Sequence, residues 1–547
     1  MRMRVKQIKE GKKIKNSMQA QANQYKQAHV KQPGCIKQNK QAKLGIVLSY
    51  VVIIFQSITH FLITPFMLIA LGKSEYGLYM LIGSFIDYIA LFDFGLGSTV
   101  TRYVAKYRAE DDKKGEESFL AIVLILYSII SILALIVGAV LYRHLPFIFS
   151  RSLTSEELHI AKPMFIILIF NAVLSMPFNT FSSIIQGYEK FAFIRIVHLI
   201  RIIIKTILLL ALLSVGYKAL AIVILDTVIN LVTMNINMFY VLIRIKTRIH
   251  LYYFSKPLLK EIITYSFFVF VTMIVDQIFW KLGQTILGVI LDTAAVAVYA
   301  FAMQFVIYYM LVSTAISWVF LPRVTQMVVK NISGKKLTNM LIGIGRIQFI
   351  ILGYILIAFI ILGRQFIFLW VGGDYGVSWI IALIIMVPYT VHLFQNVALS
   401  ILQAKNMHKF RSIIYLCIAV LNILLSIILS NAYGAVGAAM GTSLSFIAGD
   451  IILMNLYYHF KVGLNIKKFF KELSRGLVPA MLLSAGFGVL TLLIPGKTWL
   501  LLISQGLLYT IGYFIAMWFL GTNKFEKKLI SRPIKGILKN IGLSWYL

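Results

Sequence analysis

Long apolar segments alternate with short polar ones along the chain from residue 44 onward. A helix that crosses the hydrocarbon core of a bilayer needs about 20 consecutive, mostly apolar residues. Fourteen segments satisfy this requirement: 44–70, 77–101, 119–142, 163–185, 194–215, 219–243, 262–290, 294–320, 340–363, 379–402, 411–430, 435–458, 477–494 and 499–520. We therefore expect about fourteen membrane-spanning helices. An even number places both termini on the same side.

The basic residues between these segments predict the orientation. Of the 53 Lys and Arg residues, 42 lie in the segments that share a side with the N-terminus, and seven lie in the loops of the opposite side. Loops rich in Lys and Arg stay in the cytoplasm. Both termini are therefore predicted to be cytoplasmic.

Three weak internal similarities recur at nearly constant spacing. The segments 71–79 and 291–299 are 220 residues apart, 186–191 and 403–410 are 217 apart, and Gly216 and Gly434 are 218 apart. Transporters are often built from duplicated halves. We predict two parallel six-helix bundles, 44–243 and 262–458, followed by an additional helix pair at 477–520. The predicted fold class is an all-α integral membrane protein.

Composition excludes several classes of protein. The chain is 59% hydrophobic and 13% charged, with a mean hydropathy of +0.84, which excludes an ordinary water-soluble fold. The net charge of +33 is spread between apolar segments, so no nucleic-acid partner is predicted. Cys35 and Cys417 suggest neither a disulfide nor a metal site. No phosphate-binding Gly-rich loop is present and the loops are short, so we predict no enzyme activity.

Both ends of the chain are basic and polar. Residues 1–43 contain twelve Lys and Arg but one acidic residue, and no apolar segment typical of a secretory signal. We interpret them as a disordered cytoplasmic tail that contacts anionic lipid; the alternative is a start codon assigned too far upstream. Residues 521–547 form a second basic tail, also predicted to be cytoplasmic.

Ionisable side chains inside a membrane are costly, so each one is a candidate for function. In the seventh segment, Asp276, Gln277, Trp280 and Lys281 share one helical face. The first segment carries Gln56, His60 and Thr64 at i, i+4 and i+8. These two faces are predicted to border a polar cavity.

The fifth segment places Arg201 and Lys205 on one face, and the sixth places Asp226 on a polar face of its own. The two cations require either an internal ion pair or a substrate phosphate, and the sequence leaves both open. Arg346 lies near the cytoplasmic edge, where its side chain can extend to the headgroups. The candidate substrate-binding residues are Arg201, Lys205, Lys281, Gln277, Trp280, His60 and Arg346; the candidate ion-coupling residues are Asp276, Asp226 and Asp87.

Three stretches of the N-terminal half carry a resemblance to a known family: Tyr76-Gly77-Leu78-Tyr79, Asp93-Phe94-Gly95-Leu96-Gly97 and Arg102-Tyr103-Val104-Ala105-Lys106-Tyr107-Arg108. They resemble the bacterial oligosaccharide flippases of the polysaccharide-biosynthesis transporter family. That family belongs to the MATE/MOP flippase superfamily, with twelve to fourteen helices, and the resemblance covers nearly all of the membrane segments.

The resemblance implies a transporter that moves an undecaprenyl-diphosphate-linked oligosaccharide from the cytoplasmic to the outer leaflet by alternating access. It implies a bacterial cytoplasmic membrane, no cofactor other than a possible coupling H⁺ or Na⁺, and a polysaccharide polymerase and glycosyltransferases as possible partners. Two alternatives remain: a MATE-type multidrug or cation antiporter, and a lipid II flippase. A membrane scaffold is disfavoured, because charges buried on shared faces would then have no purpose.

Overall fold

The computed structural model describes residues 35–254, 256–329, 332–405, 407–494, 498–524 and 526–527. Most of the basic tails predicted at 1–43 and 521–547 therefore lies outside the described residues. The helices in chain order are α1 (Cys35–Ile89), α2 (Leu96–Glu110), α3 (Lys113–Ile148), α4 (Ser155–Gly187), α5 (Phe191–Ser214), α6 (Ala219–Tyr240), α7 (Lys256–Ile290), α8 (Thr293–Val329), α9 (Gly334–Val371), α10 (Gly376–Phe394), α11 (Asn396–Ala404), α12 (His408–Phe446), α13 (Met454–Tyr457), α14 (Ile466–Thr491) and α15 (Trp499–Ala516). The described residues contain no strand. The predicted all-α fold class is confirmed.

Short irregular segments join or extend several of these helices. One 3₁₀ turn, Ala90–Asp93, connects α1 to α2, and another, Gly373–Tyr375, precedes α10. Segments of π-helix extend α6 (Val241–Ile245), α12 (Ile447–Leu453), α13 (Tyr458–Val462) and α15 (Met517–Gly521).

Twelve helical units among the described residues are long and apolar enough to cross a membrane. Two of them, Val51–Glu110 and Ile413–Val462, have 60 and 50 residues. At 1.5 Å per residue, each is at least about twice as long as a bilayer core is thick. Both contain a glycine with positive φ, at Gly72 (φ 70°) and Gly434 (φ 59°). Each unit is therefore a pair of spans, which gives the fourteen crossings that the hydropathy pattern predicts.

Side-chain contacts show that α12 reverses at its glycine. The Thr442 hydroxyl donates to the side-chain oxygen Oδ1 of Asn422 at 3.3 Å, and Ser426 donates to the backbone oxygen of Ala438 at 3.4 Å. A straight helix would separate residues 20 positions apart by about 30 Å. Only a hairpin at Gly434, where a positive φ is cheap for glycine, brings these residues together.

The helices pack into a bundle in which α1 is central. It contacts α5 within the first half of the chain and α8 and α7 from the second half. In the second half α7 packs against α12, and α8 packs against α10. The last two helices, α14 and α15, pack on α9 through a separate apolar cluster that includes Ile361, Leu477 and Tyr509. The internal repeat stays a prediction.

The outer surface of the bundle is apolar. Ile69, Phe147, Leu482 and Leu500 are each at least 68% exposed, on helices that are long enough to span a bilayer. Helices satisfy their own backbone hydrogen bonds, so they tolerate contact with lipid along such faces. The chain is a multi-pass membrane protein.

Candidate functional site

Gly72 divides α1 into a first arm before it and a second arm after it. Two adjoining cavities lie against the first arm, with volumes of about 160 and 360 Å³. Gln56 and His60 line both, so the cavities meet at this polar pair. The smaller is lined by both arms of α1 and by residues of α5 and α6, and the larger lies between α1 and α8. Residues that line them include Thr59, Thr64, Tyr76, Tyr79, Lys205, Thr206, Ser57, Gln304 and Tyr308.

Lys205 is the cation of the smaller cavity, and it is paired. Its ammonium lies 2.6 Å from Asp226 Oδ1, which joins α5 to α6. The hydroxyl of Tyr79, on the second arm of α1, donates to Asp226 Oδ2 at 3.1 Å. This contact is one of the two alternatives, an internal ion pair or a substrate phosphate, that the sequence leaves open for Lys205. In this conformation the cation is neutralised by an internal carboxylate.

Polar side chains link the two halves of the chain across the larger cavity. The Tyr308 hydroxyl of α8 lies 3.0 Å from Nδ1 of His60. Gln304, one turn earlier on α8, donates to the Tyr76 hydroxyl at 2.7 Å and accepts from Thr64 at 3.3 Å. His60 thus lies at the junction of the halves, as the polar face of the first span predicts.

An ion pair between Lys281 and Asp87 joins the two halves, unlike the pair of Lys205, which lies within the first half. Lys281 on α7 lies 2.8 Å from Asp87 Oδ2 on α1, and Gln277 donates to the backbone oxygen of Asp87 at 2.9 Å. Trp280 turns toward Tyr389 of α10, with ring centroids 5.7 Å apart. Of the candidates on the polar face of α7, Lys281 and Gln277 meet α1. The side chain of Asp276 lies outside the described residues.

Two candidates lie away from the cavities. Arg201 is half-buried one turn before Lys205, within electrostatic reach of Asp226, but it does not line either cavity. Arg346 is 5% exposed, so its side chain does not extend to the headgroups. It pairs with Glu526 at 2.6 Å and donates to the backbone oxygens of Glu472 and Gly521. These contacts fasten α14 and the segment that follows α15 to α9.

Sequence reasoning missed the uncharged cavity residues Tyr79, Gln304 and Tyr308. Tyr79 ends the Tyr76-Gly77-Leu78-Tyr79 stretch that carries the family resemblance, so that motif held a usable signal. Gln304 and Tyr308 are four residues apart on α8 and share a face. Because neither residue is charged, the two do not stand out in a span that is otherwise mostly apolar.

A separate buried polar cluster lies in the second half of the chain. Asp450 is 5% exposed and accepts from Tyr415 at 2.6 Å, and its Oδ1 lies 3.1 Å from Nδ1 of His392. The Arg411 guanidinium lies 4.5 Å from the centre of the Tyr415 ring. None of these residues lines the two cavities.

The end of the bundle that is predicted to face outward is closed by contacts between the halves. Glu157, in the first turn of α4, accepts from Thr293 at 2.6 Å and also from Ser74. Lys73 lies 3.3 Å from Asp374. At Gly77 the backbone of α8 approaches so closely that a Cβ would lie 1.8 Å from the Thr293 carbonyl oxygen. The cavities are therefore covered on this side.

Comparison with known proteins gives one family and one fold. The family model described as polysaccharide biosynthesis protein matches residues 43–328, more than half of the chain. No curated protein sequence matches. The solved lipid II flippase MurJ, in an inward closed conformation, superposes with a TM-score of 0.69 at 20% identity, over 89% of this chain and 100% of that one.

Two MATE transporters share the fold at lower similarity. An inward-facing MATE family transporter of the MOP superfamily gives a TM-score of 0.57 at 16% identity, over 74% of this chain and 98% of that one. A variant of the Vibrio cholerae MATE transporter VcmN gives 0.52 at 12% identity, over 78% and 98%. With the helix order, the cavity between the halves and the family match taken together, the chain belongs to the polysaccharide biosynthesis protein family and has the transporter fold of the MOP superfamily.

Proposed function

We propose that this protein moves an undecaprenyl-diphosphate-linked oligosaccharide from the cytoplasmic to the outer leaflet of a bacterial cytoplasmic membrane, by alternating access. The family match indicates polysaccharide biosynthesis, and the fold is that of transporters. One observation carries the substrate assignment. A lysine lines a polar cavity within the membrane bundle, where a phosphate group needs a cation.

The chemistry of the cavity suits a lipid-linked sugar. Lys205 offers an ammonium to a phosphate oxygen, and charge-assisted hydrogen bonds of this kind are about twice as strong as neutral ones. Gln56, His60, Gln304 and Tyr308 present amide, imidazole and phenol groups to which sugar hydroxyls can hydrogen-bond. The lipid tail stays among the apolar side chains of the outer surface.

The orientation follows from the basic loops. With both termini in the cytoplasm, the end closed by Glu157, Lys73 and Gly77 faces outward. A carrier closed at this end is ready to load from the cytoplasm. The polymerase and glycosyltransferases that make and extend the repeat unit are the expected partners in the same pathway.

The test is surface polysaccharide in a strain that lacks the gene and carries a plasmid copy. Arg201→Ala together with Lys205→Ala should abolish surface polysaccharide while the protein remains in the membrane at its normal level. Arg143→Ala removes an exposed cation from the predicted outward loop, away from the cavities, and should leave export unchanged. Unchanged export by the double variant would reject the assignment.

The same strains separate the two alternatives. A MATE-type antiporter would confer drug resistance without any effect on surface polysaccharide. A lipid II flippase would restore growth to cells depleted of their own lipid II flippase. We expect neither phenotype.

A further inference from the structure

We propose that Asp226 is the specificity residue of the cavity: it holds Lys205 as an internal competitor, so that only a ligand carrying more negative charge than one carboxylate is bound. The ligand class selected is a diphosphate, and the class rejected is the phosphodiester headgroup of ordinary membrane lipids. The inference deepens the proposed function and rests on it.

The geometry places the competitor behind the cation. Lys205 lines the smaller cavity, whereas Asp226 does not. An anion that enters therefore meets the ammonium first and must compete with a carboxylate already 2.6 Å away. The Tyr79 hydroxyl, 3.1 Å from the other oxygen of Asp226, fixes that carboxylate against the lysine. Without a ligand, Lys205 is therefore already paired with Asp226.

The charges around Asp226 are few among the described residues. Helix α5 supplies Lys205 and, one turn earlier, Arg201. Helix α1 supplies the neutral donor Tyr79 and, facing Lys205 from its first arm, His60. Helix α4 presents uncharged Asn171 and Ser175, which bond Asn230 one turn from Asp226. One carboxylate thus faces two permanent cations.

This balance creates a charge threshold. A phosphodiester carries one negative charge, the same as the Asp226 carboxylate. If it displaces Asp226 from Lys205, the binding free energy gained is small and the carboxylate loses its nearest cation. An unpaired charge in a low-dielectric site is costly. The diphosphate diester of a lipid-linked sugar carries two negative charges on adjacent groups. It can engage Lys205 more strongly than the carboxylate does, because both of its charges attract the ammonium.

A site inside a membrane needs such a threshold. Phosphodiester lipids surround the protein at a concentration far above that of any biosynthetic intermediate. A lysine without a competitor would bind their headgroups and remain occupied. Discrimination between ligands often depends on a repulsive element as well as an attractive one. Asp226 is that repulsive element.

The experiment compares two soluble probes by titration calorimetry on the full-length protein in detergent. Geranyl diphosphate represents the diphosphate, and dihexanoylphosphatidylglycerol represents the phosphodiester headgroup. The parent protein should bind geranyl diphosphate at least about tenfold more tightly than the phosphatidylglycerol, since a tenfold difference is what one charge-assisted contact supplies. Asp226→Asn should bind the phosphatidylglycerol more tightly than the parent does, and the ratio should fall to about threefold or less.

Further variants keep the result interpretable. Asp226→Glu retains the carboxylate and should retain the discrimination. If Asp226→Asn does not fold, as judged by size-exclusion chromatography, Asp226→Ser serves in its place. Glu75→Gln removes a carboxylate of the same half, paired with Lys218 at 2.9 Å and outside the cavity lining, and should leave both affinities unchanged.

The failures of the two proposals are distinguishable. If geranyl diphosphate binds equally to the parent and to Lys205→Ala, the cavity is not the substrate site and the proposed function loses its support. If binding depends on Lys205 but Asp226→Asn leaves the ratio of affinities unchanged, the substrate site stands and Asp226 is not its specificity residue.

Discussion

Lys281 and Asp87 are the charged side chains that join α7 to α1 near the middle of the membrane bundle. The side chains of Lys281 and Asp87 are 33% and 42% exposed, so the pair is only partly desolvated. Partly exposed ion pairs contribute about 1 kcal/mol or less to stability. The pair therefore contributes little to folding stability, and we expect its main effect to be on the position of α7 relative to α1.

We predict that Lys281→Ala and Asp87→Asn each lower transport severely while they change the free energy of unfolding by only about 1 kcal/mol. The physical reason is that each leaves one charge without its partner at the boundary between moving halves. The exchange Lys281→Asp with Asp87→Lys restores the attraction and should recover part of the transport. Thermal unfolding and surface polysaccharide, measured on the three variants, check this prediction. Both single variants must be impaired in transport; an inactive exchange variant does not decide the prediction by itself.

At the scale of elements, α14 and α15 are held to α9 by an ion pair inside the protein. Arg346 of α9 and Glu526, which follows α15, are 7% and 4% exposed at their side chains. Arg346 also donates to two backbone oxygens. That of Glu472 lies shortly before the break in α14 at Arg475 and Gly476, and that of Gly521 lies at the end of the π-helical segment after α15. The pair thus fixes three parts of the C-terminal region to one guanidinium.

Arg346→Ala should destabilise the C-terminal pair by about 3–5 kcal/mol, because it leaves Glu526 as a buried charge without a partner. Arg346→Met combined with Glu526→Met should be much closer to the parent, since no isolated charge remains. Lys524→Ala, an exposed cation two residues from Glu526, is the matched control and should have no effect. Thermal unfolding and limited proteolysis after α15 measure the outcome. Equal destabilisation by the single and the double variant would contradict this account.

The sequence predicted the spans better than it predicted the contacts between them. Hydropathy depends on each segment alone, so all fourteen crossings were found, including those joined at Gly72 and Gly434. His60 and Lys205 were found because a polar residue in an apolar span is visible without a partner. The expectation that Arg346 extends to the headgroups was wrong, because its partner Glu526 lies 180 positions away in the sequence. No helical-wheel argument relates residues so distant in the chain.

The contact between Lys205 and Asp226 is a second example of a contact between helices that the sequence alone did not predict. The sequence supplied both charges and the need for a counter-ion, but it left an internal partner and a substrate phosphate equally open. The choice depends on how α5 and α6 are rotated against each other, which is set by packing. Tyr79 was missed because a phenol in an aromatic-rich chain is unremarkable until its neighbours are known.

At the scale of the whole molecule, the halves are in close contact at the predicted outward end, where Gly77 faces the backbone of α8. A Cβ at this position would lie 1.8 Å from the Thr293 carbonyl oxygen. No rotamer change can relieve this contact, because the backbone of residue 77 fixes the position of its Cβ and the oxygen belongs to the backbone of Thr293. Gly77→Ala must therefore push the halves apart at this end. A carrier with two states responds to such a clash by populating the state in which the outward end is open.

We predict that Gly77→Ala makes the smaller cavity accessible from outside the cell. Met80→Cys, placed in the cavity lining of a chain in which Cys35 and Cys417 are replaced by serine, is the reporter for a membrane-impermeant maleimide. Labelling of intact cells should rise several-fold over the parent. Gly83→Ala, on the same arm of α1 with nothing within 4 Å of its Cβ, should leave labelling unchanged. Equal labelling of the two alanine variants would mean that the approach at Gly77 does not hold the outward end closed.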